Sequence, residues 1–197
     1  MMQPTTAPRP KSIFVEFWFV FLFIGAMVAL ILAYILRLLT PAGPQSNTWN
    51  NITPGLSDVN DVTKNFGQPL SQESYGPGQR LQYQSQYPTR PHDVITDQSG
   101  TVQFIKEYLP LDSQEFINTS IEQYGEPDYV LIDEITGDAF RAYVFLDQGL
   151  VLIAHIADDS VQQKWYFVPT SADNFLQSWG QSLTNEEPSP EEFGPID

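Results

Sequence analysis

The 197-residue sequence contains no cysteine, two histidines and nine lysines and arginines against 24 aspartates and glutamates. Without cysteine there is no disulfide, thiolate metal site or thiol nucleophile, and no lipidated N-terminal cysteine. His92 and His155 have no partner at ligand spacing, so no zinc or copper site is expected. His92 adjoins Asp93, but neighbours on an extended chain point to opposite sides, which excludes the simplest catalytic pairing. No serine occupies a G-x-S-x-G elbow. The stretch "YGPGQR" lacks the lysine of a phosphate loop and reads as a turn. The carboxylates at Asp133, Glu134 and Asp138, and at Asp158 and Asp159, lack calcium-loop spacing and read as solvated turns. The expectation is a protein that is not an enzyme and needs no cofactor.

The chain does have a long apolar run. Residues 17–36, "FWFVFLFIGAMVALILAYIL", are 20 positions without a charge. As a helix they span roughly the 30 Å hydrocarbon core of a bilayer. Phe17, Trp18 and Tyr34 sit near the ends, as interfacial anchors do. The run exceeds the core of a cleavable leader, and no small-residue cleavage site follows it, so it is expected to stay as a single-pass anchor. Arg9 and Lys11 precede it, which places the N-terminus in the cytoplasm by the positive-inside rule and the rest outside the plasma (inner) membrane. Gly25, Ala29 and Ala33 recur every four residues and form a stripe suited to packing against another membrane helix. After Pro41 there are six cations against 23 anions, a net of −17. Such a surface repels nucleic acid and anionic headgroups and suits a soluble domain or one that meets a basic protein.

The organisation expected is a disordered cytoplasmic tail (1–12), a transmembrane helix (13–40), a linker (41–51), two α/β units (52–110 and 111–183, the second with a final helix) and an acidic disordered tail (184–197). The two units rest on "NFGQPL" and "QYGEPD", whose Gly67 and Pro69 recur 58 residues later as Gly125 and Pro127. In the first unit Ser57 is a candidate cap, Val59, Val62 and Phe66 share one face, and the G-x-P motif stops the helix. In the second, Ser113 can cap, and Phe116, Ile117, Ile121 and Tyr124 share a face. Leu81, Tyr83, Ser85 and Tyr87 alternate with glutamines, which predicts a strand. "VITDQSGTVQFI" and "YVFLDQGLVLIAHI" each read as strand, turn, strand. "KWYFV" predicts a further strand, and "SADNFLQSW" a last helix.

The run "ITPGLSDVNDVTKNFGQPL", followed by an alternating strand and a D-x-x-G hairpin, resembles the BamE/SmpA/OmlA family. Gly55 matches the family's glycine after a short apolar lead, Val62 its helix valine, Gly67 and Pro69 its helix stop, and Asp97 and Gly100 its hairpin. The resemblance covers residues 52–105, and residues 111–183 fit more loosely. It implies the fold of the β-lactamase inhibitor protein and an extracytoplasmic protein-binding module. A transmembrane segment stands where those lipoproteins carry a lipidated cysteine.

The expected fold class is therefore α+β: one transmembrane helix followed by a tandem α-then-antiparallel-β-hairpin domain. The expected function is an accessory or assembly subunit of a larger membrane complex. Its partners would be other membrane helices and an extracytoplasmic protein surface, with no nucleic acid. Trp165 and Tyr166, adjacent on a strand, point to opposite faces of the sheet and are the candidate partner surface. The alternative is a membrane-anchored ligand-binding or sensor domain.

Overall fold

The computed structural model describes residues 27–28, 47–110, 112–113, 115–133 and 137–185. The expected cytoplasmic tail, the stripe of Gly25, Ala29 and Ala33, and the acidic tail beyond Asn185 lie outside the described residues. Of the apolar run only Met27 and Val28 are described, as helical. Among the described residues, no helix is long and apolar enough to cross a membrane.

The folded unit has three short helices, α1 (Val59–Phe66), α2 (Ile117–Tyr124) and α3 (Ala172–Ser178). Its strands are β1 (Ser71–Tyr75), β2 (Gly78–Tyr83), β3 (His92–Thr96), β4 (Val102–Tyr108), β5 (Tyr129–Asp133), β6 (Phe140–Phe145), β7 (Leu150–His155), β8 (Val161–Phe167) and β9 (Leu183–Thr184). All nine described strands join one sheet in the order β1-β2-β3-β4-β8-β7-β6-β5-β9, and every pairing is antiparallel.

This corrects the expected fold class. The described residues show no helix able to cross a membrane, and the folded unit is not a tandem pair of separate α-then-hairpin units. It is a mostly antiparallel nine-stranded sheet with three short helices. Each supposed hairpin is part of a longer run of strands, because Ser71–Tyr75 and Tyr129–Asp133 are also strands. The runs then fuse where β4 pairs with β8, from Phe104↔Phe167 to Tyr108↔Gln163. A lone hairpin leaves both edges and both faces open, whereas the fused sheet buries its central strands from both sides.

Local chemistry sets the helix ends. Asp58, not Ser57, caps α1: its carboxylate accepts the Asn60 and Asp61 amides at 2.7 and 3.1 Å, and Asp61 Oδ2 accepts the Asp58 amide at 3.0 Å. Those bonds hold the Asp58 carboxyl below the usual carboxylate range. Ser57 Oγ instead accepts the Thr53 amide. No side chain caps α2, Ser113 included; the Ile117 amide donates to the Asp159 carbonyl at 2.9 Å, a partner from the β7–β8 turn. Gly67 ends α1 at φ 78°, a left-handed value that costs glycine nothing.

Helices α1 and α2 lie on one face of the sheet, over a core that includes Val62, Leu81, Val94, Ile105, Ile117, Leu152 and Tyr166. Helix α3 lies on the other, with Phe175 and Trp179 against Phe104, Val144, Val151, Ile153 and Phe167. The expected linker is part of this unit from Asn47 onward. Trp49 is buried and stacks on Phe66 at 4.2 Å, and Asn47 Nδ2 donates to the Phe167 carbonyl at 3.3 Å.

Candidate interaction surface

Helix α3 covers only part of the second face. On β2, β3 and β4, Arg80, Gln82, Asp93 and Lys106 point to that side, since Leu81, Tyr83, Val94 and Ile105 point to the core under α1 and α2. These polar side chains form a ladder of alternating charge across the strands. Glu73 on β1 is the register partner of Arg80 and pairs with it at 3.3 Å. The Arg80 guanidinium grips Asp93 through Nε and Nη2, both at 2.9 Å, and Gln82 Nε2 adds a bond to Asp93 Oδ1 at 3.0 Å. Asp93 is in register with Lys106, and Lys106 with Trp165, whose ring centroid lies 4.6 Å from the ammonium.

The electrostatics follow the packing. The hydrogen bond to Asp93 raises the Arg80 pKa further above its ordinary value. Burial pulls the Lys106 ammonium down, partly offset by the nearby Asp133 and Asp93 carboxylates. Tyr108, next on the same side of β4, is pushed up by burial and then by Asp93. A fork-on-carboxylate pair is geometrically specific, so the ladder holds its charges in a fixed pattern, with Glu73 exposed and Asp93 buried.

The residues singled out from sequence are placed as follows. Trp165 and Tyr166 do point to opposite faces, but they are only 2% and 5% exposed. The partner surface expected there is corrected: α3 and its neighbours close over Trp165, and Tyr166 lies under the first-face layer. Tyr166 donates to Glu107 Oε2 at 2.5 Å, and Lys164 pairs with Glu115 at 2.6 Å. Burial pushes both the Tyr166 phenol and the Glu107 carboxyl up; the Tyr166 bond partly offsets the rise at Glu107. The Trp49 indole N–H faces the same carboxylate without meeting hydrogen-bond geometry. Gly67 and Gly125 end α1 and α2, each donating its amide back to the helix at 2.8 Å, with Pro69 and Pro127 just beyond. Gly55 sits at φ 81° against Val168.

His92 Nδ1 accepts the Tyr108 amide at 3.1 Å, and its ring packs against Trp49 at 5.2 Å. His155 meets Asp158 at 3.2 Å, and Ser160 Oγ bonds the same carboxylate at 2.7 Å. The order is serine, aspartate, histidine, with the carboxylate in the middle. That arrangement shapes the β7–β8 turn and does not activate the hydroxyl through the imidazole. Among the described residues, no group of three or more acidic or histidine side chains could hold a metal ion. A polar hollow of about 280 Å³ lies between two hairpin tips, lined by Ser74, Pro77, Gly78, Gln79, Asp97 and Ser99. Gly78 is required there: a Cβ would lie 1.7 Å from the Thr96 carbonyl oxygen.

Sequence reasoning missed the ladder. The alternation of Arg80 and Gln82 with Leu81 and Tyr83 was the available signal for a polar side of β2. Nothing local marks Asp93 and Lys106 as its continuation, because strand register brings them together.

No family model matches the chain, and no curated protein matches it. Among solved structures it is similar to the crystal structure of a DUF4309 family protein (YjgB) from Bacillus subtilis subsp. subtilis str. 168. The identity is 16%, the TM-score 0.43, and the match covers 64% of this chain and 86% of that one. A likeness that distant carries no argument.

Proposed function

We propose that this protein is a non-enzymatic interaction module, an accessory or assembly subunit of a larger membrane protein complex. The apolar run at 17–36 anchors it, and the folded unit stands on the extracytoplasmic side of the plasma (inner) membrane. The observation that carries the reading is the polar part of the second sheet face, where an ordered ladder runs from the exposed Glu73 through the part-exposed Arg80 to the buried Asp93 and part-buried Lys106, beside the exposed strand β1. Fixed, alternating charge across a sheet serves partner choice and register better than it serves a small molecule, which needs a concave apolar pocket. The resemblance of residues 52–105 to BamE/SmpA/OmlA domains points the same way. The Ser160–Asp158–His155 order supports a role without catalysis.

The test is co-purification of the tagged full-length chain from its native membranes. Specific chains should accompany the wild type and be lost with Ser71→Trp, which sets an indole on the open face, while the thermal midpoint stays put. Identical companions for both proteins, or none for either, would sink the reading. Protease added to intact spheroplasts should cleave the folded unit; complete protection would place it in the cytoplasm instead.

A further inference from the structure

The two edges of the sheet are finished differently. At one, β9 lies outside β5, pairing Thr184 with Ile132 and Leu183 with Asp133. At the other, nothing described lies outside β1, and all five of its residues are exposed. The β1–β2 hairpin closes on Tyr75↔Gly78 through Gly76 and Pro77. Antiparallel alternation then turns the Glu73 main chain toward β2 and leaves the amide and carbonyl of Gln72 and Ser74 pointing out of the sheet.

Natural edge strands are blunted by charge, proline, bulges or short length. Here the defences are weak. The proline is in the turn, the β1–β2 pairing has no register shift, and the one charge, Glu73, is drawn across the face toward Arg80. Leu70, just before the strand, and Tyr75, its last residue, are 61% and 44% exposed and add apolar surface at its two ends.

We propose that β1 is a docking edge for an extended, basic segment of another polypeptide, which adds to the sheet as a further strand. The inference rests on the interaction reading and names the partner's chemistry. Main-chain bonds to Gln72 and Ser74 supply general affinity, and the side chains at Glu73 and Tyr75 supply the choice of sequence. Charge selects a different protein over a second copy. Pairing residues 71–75 with themselves about a two-fold axis sets Glu73 opposite Glu73, a like-charge pair. The net of −17 beyond Pro41 opposes self-association and draws a cationic segment.

The experiment uses the purified full-length chain and two synthetic peptides of alternating Thr and Val, one with a central Lys and one with a central Glu, followed by fluorescence anisotropy. The Lys peptide should bind at least ten-fold tighter. Ser74→Pro removes an outward amide without touching the β2 ladder, and should weaken binding ten-fold or more. Glu73→Lys leaves every main-chain group in place and should reverse the preference, so the idea stays testable even where the proline variant misfolds. Equal binding of the two peptides, binding of neither, or an unreversed preference in Glu73→Lys would overturn it. So would a dimer of the wild type at micromolar concentration in sedimentation that Ser74→Pro dissolves, which would assign the edge to a second copy. Loss of this docking while Ser71→Trp still releases co-purifying chains would refute the edge and leave the interaction reading standing.

Discussion

Strands β2–β4 and strands β6–β8 both send every second side chain to the same face of the sheet. On the first set those positions hold Arg80, Gln82, Asp93 and Lys106, with Ile95 and Phe104 as apolar exceptions; on the other they hold Ala142, Val144, Val151, Ile153 and Trp165. Helix α3 follows that difference. Phe175 and Trp179 settle over the apolar set and stop at Phe104, where Trp179 stacks at 4.6 Å. Backbone pairing is alike in the two regions, so the outward residues decide which part is covered.

The comparison can be broken most severely at α3. Phe175 is 1% exposed and packs on Phe167 at 4.9 Å. Phe175→Ala should cost about 3–5 kcal/mol in urea unfolding, and should make the covered part of the face as accessible to a hydrophobic dye as the cover had kept it closed. A loss below about 1 kcal/mol, far under the usual range for a buried Phe, would show that α3 is not part of the core.

Asp93→Ala acts on the polar part, at a buried carboxylate. It takes the carboxylate from Arg80 and Gln82 and should cost about 1–3 kcal/mol, the range for charge-assisted bonds, toward the low end because Arg80 is about one-third exposed. Restoring stability with a second change, Arg80→Leu, would show that the ladder serves recognition more than folding.

The covered face under α1 and α2 can be read by pH. The folded pKa of Glu107 is raised by burial, so the carboxyl favours the native state when protonated, and that contribution is lost as pH rises through the folded value. Glu107→Gln keeps a bond to Tyr166 and should gain stability relative to wild type as pH goes from 5 to 8. A constant difference across that range would contradict the assignment. His92 has the opposite sign. Burial lowers its folded pKa below 6.5, so its contribution is complete above 6.5 and is lost as pH falls through the folded value. Protonation would also remove the acceptor for the Tyr108 amide. Thermal midpoints from pH 7 to 5 should fall further for wild type than for His92→Gln.

The smallest effect belongs to Glu73. Its pair with Arg80 is exposed on both sides, and Glu73→Ala should change stability by under about 1 kcal/mol. The same substitution should still weaken docking of the Lys-centred peptide, which separates recognition from folding at a single residue.

The sequence by itself determined the features whose cause lies within about four residues. Gly67 and Gly125 stop their helices at positive φ, Asp97 and Gly100 form a hairpin turn, and Ser171 caps α3 as its position before "ADNF" suggests. The acidity after Pro41 is also plain in the residues. Tertiary structure alone decided what depends on partners distant in the chain. Residue 58 caps where 57 was expected because Ser57 is taken up by Thr53, and α2 starts without a side-chain cap because the Asp159 carbonyl supplies the bond. The β4–β8 pairing joins Glu107 to Tyr166 across 59 residues, and with it came the nine-stranded sheet, the burial of Trp165 and the ladder at Lys106. Dihedral preferences and caps act locally, whereas register is chosen by burying apolar side chains on both faces at once, which no short window of residues contains.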